Sequence, residues 1–350
     1  MRWPDKLARL TPYAAAPAPD SGAVRLDANE SFLTPPRWLW EKITTAVRSV
    51  ALHRYPDPAA SELCALFAGR MHVPASGVVA GNGSDELISL LMAALVPRGG
   101  RVLVSEPDFS MYRVYAQLYE HDCVAAPKTA GRPDMDALLT AHRARPADLI
   151  IFSNPCNPTG LGASAAEVLA LAEAVDCPVV VDEAYMDFWD QSVLAHTRRR
   201  DNLIVLRTCS KALGLAGARL GFALSGDPLA AALRAAKSPF NVSALAQAVG
   251  AVVLAETEYL DVCVQEIRRS VEALYRALSV LAAHAEGIEV HETKTNFVLL
   301  TGARVPALYE ALRVQNILVR HLPPDTLRVT AGTESEHKTL LTALEAHLPA

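Results

Sequence analysis

Short runs of β-branched and aliphatic residues recur along the middle of the chain, and each is separated from the next by residues at helical spacing. "RVLVS" (101–105), "DLIIFS" (148–153), "PVVVDE" (178–183) and "NLIVLRT" (202–208) are apolar on both faces of a strand. Between the second and third lies "ASAAEVLALAEAV" (163–175), with apolar residues at helical spacing. Such alternation predicts an α/β fold, a mostly parallel sheet covered on both faces by helices. The texture changes at 243, where a helical region without internal proline runs to 284 and predicts one bent helix or two. Beyond it come "NFVLL" (296–300), a helix near 304–315, "ILVR" (317–320), "LRVT" (327–330) and a last helix. Thr333 and Glu336 have capping-box spacing at the start of that helix. At 350 residues the chain exceeds the usual size of one core. The expected division is an N-terminal arm (1–29), a large domain (30–242) and a small α+β domain (243–350) helped by the arm.

Composition narrows the function classes. A net charge of −5 leaves no basic surplus for nucleic acid. Apolar runs such as "LISLLMAALV" (87–96) are too short to cross a bilayer, so no membrane partner is expected. "MRWPDKLARLTPYAAAPAPD" (1–20) has charges where an export signal needs an apolar stretch. Cys64, Cys123, Cys156, Cys177, Cys209 and Cys263 form no CxxC pair, which favours reduced thiols in a cytoplasmic protein. The histidines show no ligand spacing, and no metal is expected.

In parallel α/β sheets, ligands gather beyond the carboxyl ends of the strands. There the sequence places Asn154 and Asn157 in "SNPCNPTG", Asp182 and Tyr185 in "VVDEAY", and Thr208, Ser210 and Lys211 in "TCSKALGLAGARLG". Gly83, Ser84 and Asp85 lie where the glycine-rich turn of "GNGSDELI" opens a helix. A lysine, a carboxylate, an amide, a phenol and a phosphate-sized nest are what a phosphorylated aldehyde ring requires. Lys211 could form a Schiff base with pyridoxal 5'-phosphate and, once displaced by an amine, move a proton at the substrate α-carbon. Asp182 would keep the pyridine nitrogen protonated. Asn157 and Tyr185 would donate to the ring oxygen. The helix start, Thr208, Ser210 and Arg219 would hold the phosphate, and Phe109 would stack on the ring.

These motifs, in this order, resemble the class I/II (fold type I) pyridoxal-phosphate aminotransferases. "LTPY" (10–13), "LDANES" (26–31), "HRYPDP" (53–58), "ILVRH" (317–321) and "LRVTAGT" (327–333) are similar to the histidinol-phosphate aminotransferase branch. The resemblance implies transamination of L-histidinol phosphate with 2-oxoglutarate, hence an amino donor and a 2-oxo acid as small-molecule partners. It also implies a homodimer with shared active sites, in which Tyr55 reaches the cofactor phosphate of the other subunit. Tyr13, Asn29, Arg320 and Arg328 are the implied substrate contacts. Three features depart from the branch: Phe109 where tyrosine is frequent, Cys209 where a larger apolar residue is common, and a short "HLPPDTL" segment between the two arginines.

Taken singly, these residues have ordinary explanations: Asp182 as a cap, Phe109 as a core ring, Arg320 and Arg328 as surface ion pairs. Aromatic amino-acid transamination and decarboxylation of an amino-acid phosphate use the same cofactor motifs and stay open as alternatives. A further rival is a nicotinamide dehydrogenase, because "GLGASA" (160–165) fits a dinucleotide fingerprint with Asp182 downstream. The prolines of "NPCNPT" count against it, since they end the strand before the first glycine. A ligand sensor within a transcription regulator would need a DNA-binding module, for which no stretch is left over.

Overall fold

Residues 5–8 and 22–348 are described by the structure, a computed structural model. Tyr13 and the rest of "LTPY" lie outside the described residues. The first strand, β1 (Val24–Leu26), joins the smaller of two sheets. The larger sheet takes β2 (Val78–Asn82), β3 (Arg101–Glu106), β4 (Asp122–Pro127), β5 (Leu149–Ser153), β6 (Val179–Asp182), β7 (Leu203–Thr208) and β8 (Leu220–Leu224). Their order is β2-β8-β7-β6-β5-β3-β4, with β8 alone antiparallel to its two neighbours. The α/β architecture expected from the alternating runs is therefore present.

The apolar runs read as they do because both faces are covered. Ile150, Phe152, Val179, Val181, Leu203 and Val205 enter one core, while Leu149, Ile151, Val180, Ile204 and Leu206 enter the other. Each such side chain withdraws apolar area worth about 1.5–3 kcal/mol. The helix Ala165–Ala174 on one flank starts at a capping box between Ser164 and Glu167.

The smaller sheet adds β9 (Glu289–His291), β10 (Phe297–Thr301), β11 (Ile317–Leu322) and β12 (Thr326–Thr330), in the order β1-β11-β12-β10-β9. Only the β1–β11 pair is parallel, so residues near the start of the chain complete a sheet made near its end. The last helix, Glu334–Glu345, has the capping box expected of Thr333 and Glu336. The helical region after 243 is two helices, Ala244–Leu254 and Thr257–Ala283, because the backbone leaves helical geometry at Glu256. The second is a spine between the sheets. Leu260, Val264 and Ile267 pack into the large core, and Val271, Leu274 and Leu278 into the small one. Among the described residues, no helix is long and apolar enough to cross a membrane.

Candidate active site

The carboxyl ends of β5, β6 and β7 open into a cavity of about 420 Å³, closed on its far side by β1, β11 and β12. That size suits a small organic ligand. Asn29, Ser84, Asp85, Phe109, Asn157, Asp182, Tyr185, Thr208, Ser210, Lys211, Arg219, Arg320 and Arg328 all line it, as the sequence leads one to expect of a single site.

Asp182 ends β6 and is buried. Its Oδ2 accepts from the Tyr112 hydroxyl at 2.8 Å, and its Oδ1 accepts from the Ala184 backbone N–H at 3.1 Å. Burial pushes the carboxyl up to about 7; the Tyr112 hydrogen bond opposes this, and the nearby charge of Asp108 reinforces it. A buried carboxylate with so little cationic compensation is a socket for a positively charged group.

Lys211 follows β7 and donates to the Ala28 carbonyl at 3.0 Å. Although Nζ faces the cavity, protein encloses it on most sides. Burial brings the ammonium down to about 8, and the positive field of Arg328 adds to that. A useful fraction of the neutral amine therefore exists near neutral pH, which a nucleophile or base needs.

The helix Gly83–Leu95 begins without a side-chain cap from Asn82, so its first N–H groups are free to meet an anion. Thr208, Ser210 and Arg219 complete this corner, with Arg219 Nη1 3.4 Å from the Ser210 hydroxyl. Gly83 lies behind the corner at φ +79°, and a Cβ there would meet the Arg219 guanidinium at 2.7 Å. Gly221 has the tighter fit: its Cβ would come within 2.2 Å of the Ser84 nitrogen. The glycine lets β8 run against the helix start.

Phe109 presents its ring to the cavity and packs edge-on against Tyr112, with centroids 5.7 Å apart. Asn157 Oδ1 accepts from Arg328 Nη1, which leaves its Nδ2 to donate into the cavity. The Tyr185 hydroxyl accepts from Asn29 Nδ2 at 2.8 Å. Asn29 is itself fixed across the molecule, its Oδ1 accepting from the Thr330 hydroxyl at 3.1 Å. Asn154 is not among the residues lining this cavity: its amide closes the loop by exchanging hydrogen bonds with the backbone of Ala163.

On the opposite wall, the short segment between the arginines is the turn of a hairpin that sets Arg320 directly across from Arg328. Like charges so placed cost stability unless an anion or acceptor compensates them. Arg328 also donates to the Asp27 carbonyl at 2.7 Å and lies over the Phe297 ring at 5.3 Å. Arg25 and Asp27 line this wall too. Tyr55 is the exception. It is 81 % exposed, stacks on Phe240 with centroids 4.5 Å apart, and does not line the cavity of its own chain.

Nothing in the sequence singles out Tyr112 or Ser153. Tyr112 reads as the buried face of a helix, and only its three-residue spacing from Phe109 hints that it reaches the same site. The dinucleotide alternative fails on geometry. The helix after "GLGASA" is closed by its own capping box, and a Cβ at Gly162 would strike Trp189 at 2.3 Å, so that glycine serves packing.

The family described as aminotransferase class I and II matches residues 20–344. A histidinol-phosphate aminotransferase of Clostridium kluyveri is 34 % identical, the match covering 92 % of each chain. Another, of Chlorobium phaeobacteroides, is 36 % identical over 92 % of this chain and 90 % of its own. In three dimensions, the histidinol-phosphate aminotransferase of Sinorhizobium meliloti, solved in complex with pyridoxal-5'-phosphate, superposes with a TM-score of 0.86. That match has 25 % identity and covers 97 % of both chains. With that breadth of match and this cavity, the chain is a member of the class I and II aminotransferases.

Proposed function

We propose that this aminotransferase transfers the amino group of L-histidinol phosphate to 2-oxoglutarate, using pyridoxal 5'-phosphate held by Lys211. The observation that carries the reading is the convergence, in one cavity, of a partly neutral lysine, a buried carboxylate, an uncapped helix start and two opposed arginines. These residues fit the cofactor. The free N–H groups at Ser84 and Asp85, with Thr208, Ser210 and Arg219, suit its phosphate; Phe109 offers a flat neighbour; Asp182 suits a cationic ring nitrogen. Bound there, pyridoxal phosphate supplies an aldehyde that captures amines and a ring that accepts the electrons released at the substrate α-carbon.

The protein's own groups do the remaining work. Asp182 holds a proton at the ring nitrogen, with Tyr112 fixing the carboxylate's orientation. Lys211, once its amine is free, moves a proton at the α-carbon and returns it in the reverse half-reaction. Tyr185 and Asn157 donate to the ring oxygen. Arg320 and Arg328 hold the anionic ends of donor and acceptor through their planar forks, joined by Asn29 and by Tyr13. In a homodimer, Tyr55 of the partner subunit reaches the cofactor phosphate; the exposed Tyr55–Phe240 stack supports such a reach. The proposed division into arm, large domain and small domain places these two sets of residues on different units.

The test is an absorbance spectrum of the purified protein with pyridoxal phosphate, titrated separately with L-histidinol phosphate and L-phenylalanine. A visible band that Lys211→Ala abolishes, and that histidinol phosphate bleaches at the lower concentration, is expected. Bleaching by phenylalanine first would instead make this an aromatic aminotransferase.

A further inference from the structure

The charged pair Asp108–Lys128 contributes nothing to the cavity wall, yet it lies directly behind it. Lys128 leaves the end of the edge strand β4, where a lysine is ordinarily solvated. Here its side chain and that of Asp108 are each only 2 % exposed, with Nζ 3.2 Å from Oδ2. Lys128 also donates to the Ser105 hydroxyl of β3 at 3.2 Å. Removing two charges from water is expensive, and an apolar pair of similar volume would serve packing as well or better. The pair therefore needs a reason beyond stability.

Its hydrogen bonds supply one. Asp108 Oδ1 accepts from the backbone N–H of Phe109 at 2.8 Å and from the Ser153 hydroxyl, and Oδ2 accepts from the Ser153 backbone N–H at 3.1 Å. The Ser153 oxygen in turn accepts from the backbone N–H of Asn157 at 3.2 Å. One carboxylate thus ties the loop that carries the stacking ring to the strand end and turn that carry the ring-oxygen donor. Burial pushes the Asp108 carboxyl up, and the charge of Lys128 with the Ser153 and Phe109 hydrogen bonds opposes that, favouring the ionised form that can accept from all its donors at once.

We infer that the buried Asp108–Lys128 pair is a positioning device that fixes Phe109 and Asn157 relative to each other as the two sides of the cofactor slot. The inference rests on the cofactor reading above and assigns residues that touch neither cofactor nor substrate. Asp108 is also among the charges acting on Asp182, which places the pair within electrostatic reach of the slot's floor.

The experiment compares wild type, Asp108→Asn, Lys128→Met and the double variant. Stability is read by denaturant melts of the cofactor-free protein, and pyridoxal-phosphate affinity by fluorescence titration. Visible circular dichroism of the bound cofactor reports how the ring is held. Each single variant is expected to bind the cofactor about tenfold more weakly with a reduced dichroic band, a loss of the size one charge-assisted hydrogen bond carries. The double variant should recover the stability that Lys128→Met loses, since no unpaired charge remains buried, while its affinity and dichroism stay low. Uncoupling of binding from stability is the signature of positioning. If affinity recovers together with stability in the double variant, or if folded Asp108→Asn binds and stacks the cofactor as wild type does, the pair is structural and the inference is wrong. Absence of a Lys211-dependent visible band in the wild type would instead overturn the cofactor reading, and this inference with it.

Discussion

The two walls of the cavity are built on different plans. The wall proposed to hold the cofactor comes from adjacent parallel strands and one helix start of the large sheet, and its groups follow their strands within a few residues: Asp182 ends β6, and Ser210 and Lys211 come just after β7. The wall proposed to hold the substrate is assembled from distant parts of the sequence. Asn29 bonds to Thr330 and Asp27 to Arg328, each pair 301 residues apart in sequence. Local placement on a rigid sheet suits groups whose chemistry tolerates little error. Long-range assembly on a smaller unit suits discrimination, because its shape can alter without disturbing the reacting groups.

That contrast can be broken experimentally. The largest effect is expected from Asp182→Asn, on the cofactor wall: turnover should fall about a thousandfold. The same change should stabilise the cofactor-free protein at pH 8 by about 4 kcal/mol. The sign follows from the raised carboxyl. Its ionisation costs the folded state increasingly as pH climbs from the ordinary carboxylate range through about 7, and an amide carries no such cost. Denaturant melts at pH 5 and 8 should show the larger gain at pH 8; a loss there would mean the carboxylate is compensated within the protein alone.

Arg320→Gln probes the other wall. About a hundredfold loss in kcat/KM for L-histidinol phosphate is expected, with cofactor affinity held within about threefold. If cofactor affinity falls in proportion, the walls are not separable and the contrast is false. Smaller still, Tyr112→Phe should slow turnover about tenfold by loosening Asp182. Because the Tyr112 hydrogen bond lowers the Asp182 pKa, its removal should move that titration upward, read by carbon NMR of the cofactor-free protein. A downward move would show that Tyr112 acts some other way.

The same contrast explains what could be read from sequence. The large sheet was legible because full burial on both faces writes itself as unbroken apolar runs, and its site residues because they sit at fixed short offsets from those runs. Lys211, Asp182, Asn157 and the helix at Ser84 all fall in this class, and "HLPPDTL" reads as the hairpin turn it is once the strands around it are recognised. Short strands were harder. β1 has three residues, and its parallel partner lies almost three hundred residues away; β8 gives no sign in its composition that it runs antiparallel. Arg25 and Asp27 reach the cavity only through that pairing. Asp108 and Lys128 are a sharper failure, because a buried charge has the same letter as a solvated one. "EPDFSMY" reads as a helix approach and "APKTAG" as a turn until the fold brings them together.

The joining of residues 24–29 to strands β11 and β12 has a consequence for the order in which the protein comes into being. During synthesis every strand of the larger sheet has been made once Leu224 has emerged, before the helices after 243 that help close its core. Asn29 and Asp27 must wait for Thr330 and Arg328. On the proposed function, the strands that carry the cofactor groups are thus made well before the pairings that would tell one amino donor from another.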